Sequence, residues 1–144
     1  MHRHNFVVGR DIRWGGWGND WLVRLHNRHH AGLSEALVHE KVVVPGGVEP
    51  KRIAGALLHD NISDIDQLLH KISYYTELRR QEPGGRVYSP AVAMLRTFWA
   101  FFRSYVLELG FLAGWRGLVI ATCDSMGTFF KHMKRYSDER GREG

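Results

Sequence analysis

Hydrophobic and polar positions follow two different periods along this chain. Up to about His59 the apolar residues come in short β-like runs: Asn5 to Val8, Trp21 to Leu25, Ala36 to Val44 and Ile53 to Leu58. Gly15-Gly16, Gly18, the stretch His29-His30-Ala31-Gly32, and Pro45-Gly46-Gly47 separate them. From Asn61 the period becomes helical, with Ser63 as the expected N-cap and a stripe of Ile65, Leu68, Leu69, Ile72 and Tyr75. Pro83-Gly84-Gly85 ends that helix. Ser89-Pro90 then reads as a cap followed by a first turn, opening a helix with Met94, Leu95, Phe98, Phe101, Phe102, Tyr105, Val106 and Leu109. Gly110 and Gly114 mark a break before a last helix. That helix carries Trp115, Leu118, Val119, Thr122, Met126, Phe129, Phe130 and Met133 on one side, and Arg116, Asp124, Lys131, Lys134 and Arg135 largely on the other.

The pattern divides the chain into a sheet-and-loop portion over 1–60, a helical region over 61–136 and a short charged tail over 137–144. Four short strands without an evident hairpin turn make a weak independent sheet, so the sheet is expected to be part of a larger one. An unpaired strand edge would also invite self-association.

Composition narrows the partners only modestly. The 144 residues are 44% hydrophobic and 24% charged, which suits a packed chain, and a formal charge of +5 with nine further histidines favours anionic partners. No nucleic-acid-binding motif accompanies that charge, so nucleic acid is not an expected partner. A single cysteine, Cys123, excludes an internal disulfide and is expected to be a buried packing thiol in a reducing compartment. The polar start carries no signal-peptide pattern. Arg96, Arg103, Glu108 and Arg116 interrupt the most apolar region before it reaches the roughly 18 residues of a spanning helix.

Three segments offer chemistry. In Gly15-Gly16-Trp17-Gly18-Asn19-Asp20, glycines allow close backbone approach to a ligand, tryptophan offers a stacking surface for a sugar ring, and Asp20 could take a hydroxyl proton. A surface turn with a solvated Asp20 and core tryptophans is the plainer alternative. In Val38-His39-Glu40-Lys41, strand alternation puts His39 and Glu40 on opposite faces, one a metal ligand type and the other a base type, or both merely local hydrogen-bonding groups. His26, His29 and His30 lack a second ligand cluster at zinc spacing and read as a solvated basic loop. Asp64-Ile65-Asp66 has the letters of a metal motif but opens a helix, where its carboxylates complement the dipole. Arg96, Arg103, Arg116, Lys131, Lys134 and Arg135 among aromatic residues suggest either helices lying in a membrane interface or a solvated stripe on a packed bundle.

Taken in order, Ile12-Arg13-Trp14-Gly15-Gly16-Trp17, Asp20 with Arg24-Leu25, Val38-His39-Glu40, Leu57-Leu58-His59, Lys71 to Tyr75 and Tyr105 to Leu118 resemble the carboxy-terminal half of family 2 glycosyltransferases. The branch resembled adds glucose or a related sugar to the lipopolysaccharide inner core. The resemblance implies an α/β fold, a remnant of a GT-A (Rossmann-like) sheet followed by amphipathic helices. It implies acceptor-binding roles for Gly15, Gly16, Trp17 and Arg24, a catalytic base in Asp20 or Glu40, and a metal-side role for His39. The family's usual acidic pair stands here as Asn19-Asp20, which leaves Glu40 as a second choice of base.

The family's upstream nucleotide-binding strands and Asp-x-Asp motif have no counterpart before Gly15. The resemblance therefore implies a fragment that is inactive alone, needing a separate amino-terminal half, a divalent metal (Mg or Mn) and a nucleotide-sugar donor. Its acceptor would be a glycan or lipid-linked glycan, met in the cytoplasm at the inner membrane face, with peripheral membrane contact. A contrasting expectation is a small basic membrane-associated or partner-binding protein without catalysis, whose liposome binding weakens with salt.

Overall fold

The structure, a computed structural model, describes residues 1–18, 20–34 and 41–143; for residues 20, 61 and 143 it describes the backbone only. Strands β1 (His2–Val7), β2 (Arg10–Ile12), β3 (Asp20–Trp21), β4 (Gly32–Leu33), β5 (Val42–Val43) and β6 (Ala56–Ile62) precede helices α1 (Ile65–Gln81), α2 (Pro90–Phe102) and α3 (Trp115–Glu143). Among the described residues the chain is thus a mixed α/β structure with a small sheet and three α-helices. A π-helical turn over Arg103–Leu107 and a 3-10 turn over Gly110–Ala113 join α2 to α3.

β1 is the centre of the main sheet. Along one edge it pairs in parallel with β6, in a register that sets Asn5 opposite His59. It also pairs antiparallel with β2 at its carboxy-terminal end and with β3 at its amino-terminal end. β2 and β3 therefore follow one another along β1, and the intervening glycine-rich segment is forced out of the sheet. The β1–β2 connection is a tight turn in which Val8 (φ 47°) and Gly9 (φ 69°) are both left-handed. That backbone matches the twist of a two-residue hairpin, but a β-branched residue rarely takes it, so sequence alone gave no hairpin signal here. Arg116 holds the turn from α3: its Nε donates to the Val7 carbonyl at 3.1 Å and its Nη2 to the Val8 carbonyl at 3.0 Å.

Other strand expectations shift. Trp21 to Leu25 keeps only Asp20–Trp21 as strand, and the Ile53 run begins pairing three residues later and continues to Ile62. Of Ala36 to Val44, residues 36–40 lie outside the described residues, and Val42–Val43 pairs with Gly32–Leu33 in a separate two-stranded ribbon. The helices start close to where the sequence pattern puts them, but the stripe expected to run to Leu109 leaves the α-helix at Phe102 and is largely exposed. The cap of α1 is Asp64, one residue beyond Ser63, and its carboxylate accepts from the Gln67 backbone N–H at 2.8 Å. Ser89 caps α2 with Pro90 in the first turn. The expected charged tail continues helically to Glu143.

One core joins both portions: Val7 and Ile12 from the hairpin, Ile62 from β6, Leu68 from α1, and Ile120 and Cys123 from α3. Cys123 is buried, and burial pushes its thiol up to about 11, as befits packing rather than nucleophilic use. α3 is the mast of the helical layer, packing against both α1 and α2.

Candidate functional site

The glycine-rich segment bulges from the sheet onto the α2–α3 connection. Gly15 adopts φ 81° and donates its N–H to the Glu108 carbonyl at 2.8 Å; Gly18 closes the turn by donating to the Gly15 carbonyl at 3.0 Å. A side chain at Gly18 would run into the Arg13 carbonyl and the Trp14 backbone nitrogen, so glycine is sterically required there. The loop's far side is tied to the sheet, where Asn5 Nδ2 donates to the Trp17 carbonyl at 2.8 Å.

Behind this loop opens a cleft of about 380 Å³, walled by Gly16 and Trp17, by Arg3 and Asn5 of β1, by Lys71, Tyr75, Thr76 and Arg79 of α1, and by Asp124 and Thr128 of α3. Trp17 serves twice, packing partly buried against the core while lining the cleft. Asn5 is 1% exposed; with Nδ2 committed to Trp17, its Oδ1 has no hydrogen-bond partner among the described residues. A buried amide oxygen without a donor costs stability, of order 1–3 kcal/mol, unless a ligand or water supplies one. It accepts hydrogen bonds only, which suits a hydroxyl donor.

Electrostatics in the cleft are sharpened by burial. Desolvation raises Asp124 to about 6, the Ser104 hydroxyl at 3.4 Å partly offsets it, and the Glu108 charge adds to the rise. Burial also pulls Lys71 below the usual lysine range. An aspartate poised near neutrality can accept or hold a proton from a bound hydroxyl. Among the described residues Arg3, Lys71 and Arg79 line the cleft together with Asp124, so it suits a polyhydroxylated ligand carrying acidic groups.

The residues singled out in the sequence are partly brought together. Gly16 and Trp17 share the main cleft, and Gly15 anchors the loop that forms its wall. Arg24 is exposed and lines a different cleft of about 310 Å³, with Trp21 and Arg52. Asp20 is placed by its backbone in β3, with its side chain outside the description, and His39 and Glu40 lie outside the described residues. Among the described residues, no group of three or more His, Cys, Asp or Glu stands together as a metal site. His26, His29 and His30 are exposed, and Asp64 and Asp66 are the cap and first-turn carboxylate of α1.

Asn5, Lys71 and Asp124 were not legible as site residues. Asn5 sits in a β-like run, and Lys71, although it opens the Lys71 to Tyr75 segment of the resemblance, sits on an amphipathic helix where no role is assigned to it. Asp124 carried a usable signal, since a lone acid between Ala121, Cys123 and Ser125 falls on the buried turn of α3. No protein-family model matches this chain, and no solved structure matches it.

Proposed function

We propose that this chain supplies the acceptor side of an inverting family 2 sugar transfer, the nucleotide-sugar side being contributed by a separate amino-terminal half. One observation carries the reading. The Gly16-Trp17 loop, which the sequence resemblance identifies as the acceptor loop, walls the same cleft as Asp124, whose pKa burial raises, and as the Asn5 oxygen, which has no hydrogen-bond partner among the described residues.

In this reading the acceptor glycan lies in the cleft. Trp17 offers an apolar face to a sugar ring, Asn5 Oδ1 accepts a hydrogen bond from a hydroxyl, and Lys71 and Arg79 meet acidic substituents. The acceptor oxygen attacks the anomeric carbon, the bond from that carbon to the nucleotide diphosphate breaks, and the hydroxyl proton passes to Asp20 or Glu40. A divalent metal, with His39 at its side, would stabilise the departing diphosphate in the assembled enzyme. Gly15 and Gly18 keep the loop closed against the α2–α3 connection, and Asp124 orients a second acceptor hydroxyl.

The test is reconstitution. The chain is mixed with a nucleotide-sugar-binding half of a family 2 transferase, UDP-glucose, manganese and a lipopolysaccharide-core acceptor, and glucosylated product is followed by mass spectrometry. Product that needs both halves, and is lost with Asp20→Asn combined with Glu40→Gln, is the expected result. Full activity in that double variant would refute the assignment of the base.

A further inference from the structure

Of the cations that stand among aromatic residues on and between α2 and α3, all but one bind a group of the protein. Arg96 donates to the Tyr88 hydroxyl at 3.1 Å and lies over its ring, Arg103 pairs with Glu108, and Arg116 donates to the Val7 and Val8 carbonyls. Lys134 reaches Thr76 and Glu77, and Arg135 donates to the Arg79 carbonyl and lies 3.9 Å from Glu82. Lys131 is the exception: half-buried, it makes no hydrogen bond or ion pair among the described residues.

Lys131 continues one wall of the cleft. Asp124 and Thr128 of α3 line it, and Lys131 follows them at i+7 and i+3 on the same helical face. The α1 wall runs from Leu68 to Arg79, whose guanidinium likewise makes no hydrogen bond or ion pair among the described residues. The two walls end together, because Arg135, one turn beyond Lys131, reaches the Arg79 carbonyl. Burial first, and then the charges of Arg79, Arg135 and Arg96, hold Lys131 below the ordinary lysine range.

The surrounding carboxylates are committed to other cations. Glu77 serves Arg80 and Lys134, Asp138 serves Arg80, and Glu82 stands by Arg135. Asp124 is two turns of α3 away, roughly 10 Å along the axis, and Arg79 is the weakest of the influences on it. Arg135 covers the Arg79 carbonyl, so the negative end of α1 is met by a cation of its own. Two like charges therefore close this end of the cleft, where partial burial of Lys131 reduces screening by water. A bound dianion offsets both at once, whereas a carboxylate offsets one. The planar donor fork of Arg and the point charge of Lys both suit phosphate oxygens.

We infer that Arg79 and Lys131 form a phosphate-binding subsite at the far end of the cleft, taking the dianionic phosphate of a ligand whose body lies toward Trp17 and Asp124. The subsite stands on these two cations; that the body of the ligand is a glycan rests on the sugar-transfer reading.

Inorganic phosphate would be titrated into the full chain at pH 7.5 and followed by NMR of the lysine Cε signals. Saturable binding is expected, weakened at least about tenfold by Arg79→Gln and by Lys131→Gln. Arg28→Gln, which removes an exposed cation outside the cleft, should leave it unchanged. Saturation should raise the pH at which Lys131 titrates. Neither cleft variant should lower the thermal midpoint in phosphate-free buffer, since each removes a repulsion. Competition by glucose 6-phosphate without binding to phosphatidate vesicles would place the phosphate on a soluble ligand; the reverse would place it on a lipid headgroup, and either supports the subsite. Absent phosphate binding, acetate bound as tightly as phosphate, an unmoved Lys131 titration, equal loss in Arg28→Gln or a lowered phosphate-free midpoint would overturn it. Phosphate binding that meets these expectations while reconstituted transfer fails would contradict the sugar-transfer reading alone.

Discussion

Helices α1 and α2 both dock on α3, but by opposite means. α1 enters the shared core through Leu68 and Ile72 and is further held by polar contacts: Arg80 grips Asp138 through two hydrogen bonds of 2.9 and 3.0 Å, and Lys134 reaches Thr76 Oγ1 at 3.0 Å and Glu77 at 3.4 Å. α2 is held by close approach of small residues around Ala93, and its bulky apolar residues are left facing outward. Polar docking fixes register while leaving an ordinary solvated outer face. Docking through small residues leaves Leu95, Phe98, Trp99 and Phe102 exposed, while Phe101 is half-buried and stacks on Tyr105. The candidate cleft lies on the α1 side, where polar groups are available, and exposed apolar residues of α2 lie on the other.

The largest effect should come from blocking the close approach. Ala93→Leu overpacks a site with no space and is expected to cost about 3 kcal/mol by urea unfolding. A cost under about 0.5 kcal/mol would mean that α2 is not seated through that face.

Acidification should separate the two docks next. His132, 4% exposed against the Tyr88 ring, is held down to about 4, chiefly by burial and then by Lys131, Arg96 and Arg135. Its folded pKa lies below the unfolded value of 6.5, so its contribution is complete above that pH and is lost as pH falls from 6.5 toward 4, by about 2 kcal/mol. Glu77, held to about 2 chiefly by Arg80, keeps the α1 contacts charged well below that range. Asp124 works against His132. Its raised pKa means that stability present below 3.8 is lost as pH rises to about 6. Asp124→Asn should therefore stabilise the fold at pH 7 by about 1–2 kcal/mol and expose the full His132 dependence between pH 6.5 and 4. An unchanged pH profile in that variant would contradict the burial of Asp124.

Smaller still, Arg80→Ala should lower the urea midpoint slightly, with a weak favourable coupling to Asp138→Ala in a double-mutant cycle, because the pair is partly solvated. Phe98→Ser should change soluble stability by less than about 0.5 kcal/mol, since its ring is 66% exposed. A large loss there would mean that the ring is part of the core after all.

The helical portion was legible because its signals are local. A serine-proline cap, a glycine break and a 3.6-residue stripe each act within one turn, and α2 and the start of α3 appear where those signals put them. The exception at Ser63 is a choice between adjacent capping residues, decided in favour of Asp64 by its reach to the Gln67 N–H. The sheet was harder to read because its order depends on distant pairing: β1 with β6 across more than fifty residues, and a hairpin through Val8 in a conformation its side chain disfavours. Which face of α2 turned inward was also hidden, because hydrophobicity alone puts Leu95 and Phe98 inside, whereas close packing on α3 selects Ala93. The cleft was half visible. Gly16 and Trp17 stood out by type and spacing, while Asn5 and Asp124 acquire their character only from burial and neighbours contributed by other elements.

The measurement closest to the central claim is saturation-transfer NMR of the whole chain with an acidic lipopolysaccharide-core oligosaccharide, compared with Trp17→Ala and Asp124→Asn. Transfer to the sugar ring protons that is lost in Trp17→Ala and weakened in Asp124→Asn is the expected result. Transfer of equal strength from all three proteins, or none from the unaltered chain, would contradict placement of the acceptor in this cleft.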